Sequence, residues 1–344
     1  MKYDEVKQEL LTNQKTWLVT GVAGFIGSNL AEQLLKLNQK VVGLDNFATG
    51  HKHNLEHIKN SVSRDQWANF AFTEGDITDY KTCIEITKNV DIVLHQAALG
   101  SVPRSIDNPV VSNNANVTGF LNMLTAAKEN GVKRFVYASS SSVYGDSEEL
   151  PKVESRTGNV LSPYAVTKAV NELYMGVFYK CYSFESIGLR YFNVFGKRQD
   201  PNGAYAAVMP KWIAQVLSGE DVFINGDGET SRDFTYIDNV VQANILAGTT
   251  TNTEAFAQAY NIAAGGRETL NNLYTAITSE LKANLPELQI KPAVYRDFRA
   301  GDIRHSNANI SKAKDLLGYN PTHTLEQGLK ESIKWYISDI KGKN

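Results

Sequence analysis

Apolar and polar positions along this chain fall into two alternating rhythms. TWLVT (Thr16–Thr20), KVVGLDN (Lys40–Asn46), NFAFTEGDI, DIVLHQAA and KRFVYASSSS are short apolar runs bounded by polar or glycine-containing turns. Runs of this length, rich in Val, Ile and Phe, read as buried strands. Between them, GVAGFIGSNLAEQLLKLN, YKTCIEITKNV and VTGFLNMLTAAKENG place their apolar residues at helical spacing. SPYAVTKAVNELY continues as a helix, and YSFESIGLRYFNVFG supplies a further strand. Strands that are continuous apolar runs, alternating with helices, predict an α/β protein: a doubly wound parallel sheet with helices on both faces.

Past about residue 193 the alternation weakens. GDGETSRDFTYIDNVVQANILA reads as a strand-to-helix return to the first layer. LNNLYTAITSELKANL and ISKAKDLLGYNPTHTLEQGLKESIKWY are helical and are assigned to a smaller C-terminal α/β lobe. No Pro/Gly/Ser-rich linker separates the two, so the lobes are expected to interleave across a cleft. The expected division is 1–192, with about 235–265 returning to it, as a nucleotide-binding domain, and 193–234 with 266–344 as the substrate lobe.

Composition narrows the function classes. The 344 residues are 42% hydrophobic and 21% charged, with Lys+Arg 35 against Asp+Glu 37. That balance gives no footprint for nucleic acid or an anionic membrane surface. Cys83 and Cys181 are far apart in sequence and have no metal-type spacing, so a reducing, cytoplasmic setting is expected. MKYDEVKQELL is polar and acidic, unlike a signal peptide, and no apolar run approaches the roughly 18 residues that span a membrane. His51, His53 and His57 in HKHNLEH are read as part of a polar loop after Asp45, with no metal.

Chemistry concentrates at strand ends. The first strand runs into TGVAGFIGS, where Gly21, Gly24 and Gly27 stand between a strand and a helix. Glycines let the backbone turn tightly and approach a pyrophosphate, and the helix N-terminus offers unpaired N–H groups to it. Asp45 ends the next strand, about 20 residues on, where a carboxylate can take ribose hydroxyls. It favours NAD over NADP, since it would repel a 2′-phosphate. Asp76 and Ile77 in EGDI stand where an adenine pocket is expected, and HQAALGSVPRS offers small residues for close passage of a cofactor.

The fifth strand ends in four serines, Ser139 to Ser142, just before a helix that carries Tyr164 and Lys168 four positions apart. Such a pair shares one helix face, roughly 5–6 Å apart at Cβ. A phenol of ordinary pKa near ~10 needs a shift of about 3 units to act as a base at neutral pH. A neighbouring ammonium typically supplies 1–3 units, and an oxidised nicotinamide carries a second positive charge.

Together, TGVAGFIGSNL, GLDNF, GDITD, HQAALGSVPRS, YASSSSVYGD, SPYAVTK, LRYFNVFG, RDFTYIDNV and RAGDIRHSNANISKAKDLLGY resemble the extended short-chain dehydrogenase/reductase family. Within it the chain looks most like the nucleotide-sugar 4-epimerases acting on N-acetylated UDP-hexosamines. The resemblance runs from Thr16 to about Trp335 and implies a Rossmann-type sheet, a tightly held NAD that is not consumed, a UDP-sugar substrate and a homodimer through a four-helix contact. It implies Tyr164 as base, Lys168 as its activator and ribose anchor, and Ser140 as hydroxyl partner, a role Ser141 and Ser142 could share. Around NAD it implies Phe25 and Ile26 with the glycines, Asn46, Phe47 and Gly50 beside Asp45, Gln96, Ala97 and Ala98 after the fourth strand, and Asn116 and Tyr191. For the substrate it implies Ser101, Ser140, Tyr164, Ala207, Val208 and Lys211, with Asn193 reaching the sugar diphosphate and Arg232 and Arg299 as its clamp. Phe223 and Asn225 would flank the uracil, Asp302 would take the uridine ribose, and Ser306 would line the pocket for the 2-substituent.

Two departures stand out. UDP-galactose epimerases resembling this chain place a lysine where Gly100 stands, and a bulky residue where Ser306 stands. A sugar 4,6-dehydratase would need an acid and a base at the end of the serine strand, and SSSSVYG has neither. A uronic-acid substrate, recognised through Ser101 and Arg104, stays open at this point, as does UDP-glucose/UDP-galactose. So does a catalytically silent NAD-binding regulator, although Tyr164 and Lys168 are both present.

Overall fold

A computed structural model describes residues 2–202, 206–298 and 304–341. Seven strands form one sheet in the order Gln258–Ile262, Ser186–Tyr191, Arg134–Ser140, Ile92–His95, Thr16–Thr20, Lys40–Asp45, Phe70–Glu74. Every neighbouring pair is parallel. The apolar runs explain this arrangement. All four residues of Ile92–His95 and all six of Ser186–Tyr191 are buried, as strands covered on both faces must be. From Thr16–Thr20 the chain winds outward through Lys40–Asp45 and Phe70–Glu74, then crosses to Ile92–His95 and winds the other way. That reversal opens a crevice beyond the paired ends Thr20 and His95.

Helix Ile237–Thr249 is buried on nearly every side, with Asn239, Gln242 and Asn244 among its buried residues. Its Gly248 is required by close packing, since a Cβ there would lie 2.7 Å from the Trp17 ring. The sheet gains its last strand when Gln258–Ile262 pairs with Ser186–Tyr191. Outside it lie three small ladders: Val194–Phe195 with Thr235–Tyr236, Ser231–Arg232 with Glu268–Thr269, and Phe223–Asn225 with Val294–Arg296. Helices Val208–Leu217, Leu270–Asn284 and Leu325–Lys341 complete this part.

One local reading needs correction. HKHNLEH does not form a polar loop: helix Lys52–Ser61 begins directly after His51, with Asn54 and Ile58 turned inward. His51 and His53 stack there at 4.9 Å, and among the described residues no group of three His, Cys, Asp or Glu is placed to hold a metal ion. The polar N-terminal stretch is helical over Lys2–Thr12 and buries Val6 and Leu10. Gln39 fastens it, donating to Leu10 O at 2.6 Å while its oxygen accepts the Trp17 indole N–H at 3.1 Å. Only two buried positions in this helix leave too faint a periodicity to read in the sequence. No helix among the described residues is long and apolar enough to cross a membrane.

Candidate active site

The crevice at the sheet reversal holds a cavity of about 500 Å3. Gly21, Gly24, Phe25, Ile26 and Gly27 line one wall, Asp45, Asn46, Asp76 and Ile77 one end, and Gln96, Ala97, Ala98 and Gly100 the opposite wall. The glycine turn is dictated by contact. Gly21 has φ +68° and a Cβ on it would meet Ala97 N at 2.9 Å. A Cβ on Gly27 would lie 2.1 Å from Gly21 O. Helix Phe25–Lys36 starts from Gly24 with no side-chain cap, which leaves its first N–H groups for a ligand.

Asp45 is buried and accepts Ala23 N at 2.9 Å on one oxygen and Phe47 N at 2.8 Å on the other. Burial raises its pKa, against the pull of those backbone bonds. Each oxygen keeps a lone pair for a hydroxyl. Gly50 backs this carboxylate without lining the cavity: a Cβ there would lie 2.9 Å from the Ala23 carbonyl carbon. Phe47 likewise turns aside to pack on Phe72, at 5.5 Å between rings. Asp76 accepts from Thr78 and Asn46; partial burial opposes ionisation, but these bonds hold its carboxyl below the usual range.

The opposite wall is fixed by polar side chains, of which the sequence reading named Gln96, Asn116 and Tyr191 and passed over Thr20, His95 and Asn244. Thr20 Oγ1 accepts Ala97 N at 3.1 Å and pairs with His95 Nδ1 at 2.9 Å. Burial, with the Lys168 charge, depresses His95 to about 3, so it stays neutral. Gln96, Tyr191 and Asn244 form a closed triangle: the Tyr191 hydroxyl donates to Gln96 Oε1 at 3.0 Å, and Asn244 Nδ2 donates to the Tyr191 oxygen at 2.8 Å. Tyr191 therefore stands behind the cavity wall, holding Gln96. Asn116 sits in a short π-helical turn, Asn114–Thr118, of the kind that often marks functional sites. Its carboxamide accepts Leu99 N at 2.7 Å and donates to Leu99 O at 3.0 Å and Thr167 Oγ1 at 3.2 Å.

Helix Pro163–Tyr182 carries the Tyr/Lys pair. Ser162 caps it by accepting Ala165 N at 3.1 Å, and Pro163 takes the first helical position. The Lys168 ammonium donates to Ala138 O at 2.8 Å and stands 5.9 Å from the centre of the Tyr164 ring. Of the candidate serines, Ser140 is the one whose side chain acts on the Tyr164 phenol, drawing its pKa down. Its Oγ also accepts Ser142 N at 3.1 Å. Ser141 and Ser142 belong to a 3-10 turn, Ser141–Tyr144. Ser139 instead donates to Glu172 at 2.6 Å.

One electrostatic expectation is corrected. Burial dominates at Tyr164 and pushes the phenol above 10, with only Ser140 opposing it. Burial also brings Lys168 down to about 8, although Glu172 partly offsets this. The protein's own groups thus do not make Tyr164 a base at neutral pH. Glu172, one turn beyond Lys168, could have been flagged by its spacing. It makes a buried two-pronged ion pair with Arg190, at 2.9 and 2.7 Å.

On the far side of the cleft, Arg232 donates to Ser231 O and Arg304 O. Arg267 and His305 both bond Ser231 Oγ at 2.8 Å. Burial, then the charges of Arg267, Arg304 and Arg232, lower the His305 pKa, which marks a concentration of positive charge suited to a diphosphate. The sequence reading named Arg232 but missed Arg267 and Arg304. Arg299 and Asp302 lie outside the described residues. Asn193 is exposed, has φ 33° and donates to Asp233 O at 3.2 Å. Ala207 starts helix Val208–Leu217 without a side-chain cap, and Lys211 is exposed on its first turn. Phe223 lies under the Arg296 guanidinium, 3.2 Å from its ring centre, with Asn225 exposed at the end of the same short strand. Ser101, at φ 96°, accepts Arg104 N at 3.4 Å.

Ser306 donates its backbone N–H to Ser231 O at 3.0 Å. It does not cap the helix that follows, Ser311–Leu317, which starts from Ile310 with no side-chain cap. Its segment bridges the cleft: His305 pairs with Ser231 and Ala308 with Lys152, in the loop after the serine turn.

An uncapped helix end behind close-packed glycines, a ribose-side carboxylate and a cavity of this size fit a dinucleotide. Comparison with known proteins agrees. Residues 17–263 match the NAD-dependent epimerase/dehydratase family. The chain is 38% identical to the UDP-N-acetylglucosamine 4-epimerase of Methanobrevibacter ruminantium, solved with UDP-N-acetylmuramic acid, with TM-score 0.85 over 95% of this chain and 99% of that one. It is 34% identical to the UDP-glucose 4-epimerase of Mycolicibacterium smegmatis, over 93% of this chain and 97% of the relative. A UDP-glucuronic acid 4-epimerase from Bacillus cereus, solved with NAD, has TM-score 0.81 at 29% identity, over 94% of this chain and 99% of that one. This protein belongs to the NAD-dependent epimerase/dehydratase family.

Proposed function

We propose that this protein is a UDP-sugar 4-epimerase whose substrate is a UDP-N-acetylhexosamine, interconverting UDP-GlcNAc and UDP-GalNAc. Tyr164 takes the proton of the sugar O4 as C4 gives up its hydride, and a 4-keto sugar forms. NAD, which Gly21, Gly24, Gly27 and Asp45 would hold, would supply the hydride chemistry at C4 and, when oxidised, a positive charge near Tyr164. Ser140, the serine that draws the phenol's pKa down, polarises the C4 oxygen; Lys168, anchored on Ala138 O, keeps a positive charge beside it. Arg232 holds the diphosphate while the keto sugar turns over. Tyr164 then returns the proton to O4 as the hydride arrives on the other face, so there is no net redox change.

The observation that carries the N-acetylated substrate is Ser306. It is half-buried, in the segment that crosses from the arginine cluster to the loop after the serine turn, and it caps no helix. A small side chain there leaves room for an acetamido group in both orientations of the keto sugar. A uronic acid is the second reading, since Ser101 and Arg104 stand on the loop after the fourth strand and one relative acts on UDP-glucuronic acid. A homodimer is supported by an apolar stripe on helix Pro163–Tyr182, where Val166, Leu173 and Val177 are 46%, 70% and 51% exposed, with Val110 and Val111 exposed on the helical segment packed beside it.

Epimerisation assays across UDP-GlcNAc, UDP-glucose, UDP-glucuronic acid and UDP-N-acetylglucosaminuronic acid test this. The highest kcat/KM is expected for UDP-GlcNAc, and a higher value for either acid transfers the assignment to the second reading. Tyr164→Phe is expected to keep NAD and lose turnover by several orders of magnitude; retention of a tenth of the activity would remove Tyr164 from its role.

A further inference from the structure

Tyr164 is the second residue of its helix, so its backbone N–H has no partner within the helix. Ser162 spends its cap on Ala165 N. The partner comes from elsewhere: Tyr164 N donates to Ser105 Oγ at 3.0 Å. Ser105 is fully buried, and its hydroxyl donates in turn to Val102 O at 2.7 Å. On the other side of the same residue, Tyr164 O accepts Thr167 Oγ1 at 2.7 Å, and Thr167 Oγ1 accepts from Asn116, which holds both polar backbone groups of Leu99. The segment from Leu99 to Ser105 therefore grips the Tyr164 backbone at its N–H directly and at its C=O through two side chains. Leu99 and Gly100 in that segment also line the cofactor cavity.

We propose that Ser105 is a positioning residue for Tyr164: its hydroxyl makes the cavity-lining loop and the phenol move as one body, holding the phenol at Ser140 and at the C4 oxygen. The inference rests on the acid–base role proposed above for Tyr164. Ser105 bonds the Tyr164 backbone, and its effect passes through that backbone. Proton transfer depends steeply on such placement, and a ~1 Å error can cost on the order of 100-fold in rate.

The test uses the full chain with its bound NAD. For Ser105→Ala, kcat and the single-turnover rise in reduced-nicotinamide absorbance on mixing with UDP-GlcNAc are expected to fall about tenfold or more, with KM and NAD content within about twofold of wild type. Ser332→Ala deletes an equally buried hydroxyl, bonded to Gly328 O in the C-terminal helix, and is expected to change thermal stability without changing kcat. Ser105→Thr keeps the acceptor and is expected to retain turnover, whereas Ser105→Cys, with a weak sulfur acceptor of similar shape, is expected to be slow. This pair decides the matter if the alanine variant does not fold. Equal kcat for the threonine and cysteine variants, or wild-type kcat in Ser105→Ala, would overturn the proposal. An active Tyr164→Phe would instead remove the acid–base reading, while an inactive Tyr164→Phe beside a fully active Ser105→Ala rejects the positioning role alone.

Discussion

Asn261, on the last strand of the sheet, accepts the Tyr144 hydroxyl at 2.6 Å. The same carboxamide donates to Lys152 O at 2.9 Å and Asn309 O at 3.0 Å, and its backbone N–H donates to Glu154 at 2.9 Å. One fully buried side chain thus joins the serine turn, the loop behind it and the segment that carries Ser306. Asn261→Leu leaves a hydroxyl and two carbonyls without this partner, at about 1–3 kcal/mol for each group that stays buried. Urea unfolding is expected to show a clear loss of stability. KM for the UDP-sugar is expected to rise more than NAD affinity falls, because the bonds lost are on the substrate side of the cleft. An equal effect on both ligands would contradict this coupling.

Glu32 gives a pH signature. It is buried in helix Phe25–Lys36 and faces Lys36, Lys197 and Arg198. Burial raises its pKa, but the Arg198 and Lys197 charges and the lysine hydrogen bonds outweigh that and bring it to about 2. A carboxylate depressed in the folded state stabilises above its ordinary pKa and loses that contribution as pH falls from about 4.5 towards 2. The shift corresponds to stability on the order of 3 kcal/mol. Glu32→Gln is expected to be markedly less stable than wild type at pH 7, with the gap narrowing between pH 4.5 and 2. A constant gap across that window would show that the pair is held by packing, not by charge.

Asp45 has both oxygens committed to backbone N–H groups, so removing it affects the turn as well as the ligand. Asp45→Ala is expected to lose NAD during purification and to let NADP compete better, since the carboxylate attracts ribose hydroxyls and repels a 2′-phosphate. Mass analysis of the nucleotide released on denaturation reads both effects. NADP released from the wild-type protein would contradict the role assigned to this carboxylate.

Ser306→Tyr tests the substrate reading. A tyrosine would fill the space proposed for the acetamido group, and overpacking of this kind typically costs about 1–3 kcal/mol. As a difference in transition-state binding, that is roughly a ten- to hundredfold fall in kcat/KM for UDP-GlcNAc relative to UDP-glucose. An unchanged ratio removes the pocket assignment. A parallel loss for both sugars would mean that Ser306 serves its segment's pairing with Ser231 and not the sugar.

The sheet, the glycine turn and the Tyr164/Lys168 pair could be read from the residues alone, because each depends on short-range geometry. Continuous apolar runs had to be buried strands, glycines between a strand and a helix had to form a close turn, and a four-residue spacing had to place two side chains on one helix face. Only the folded arrangement separates the serines: Ser139 is drawn to Glu172, Ser141 and Ser142 enter a 3-10 turn, and Ser140 is the one that acts on the phenol. It also decided the sign of the Tyr164 shift, because burial depends on everything packed around the ring and here outweighs the one opposing influence, Ser140. Arg267, Arg304, Ser105 and Asn261 had no local signature. Each acts through a partner many residues away in the chain, and a lone Ser, Asn or Arg between ordinary neighbours carries no periodicity that reveals which distant backbone it will meet.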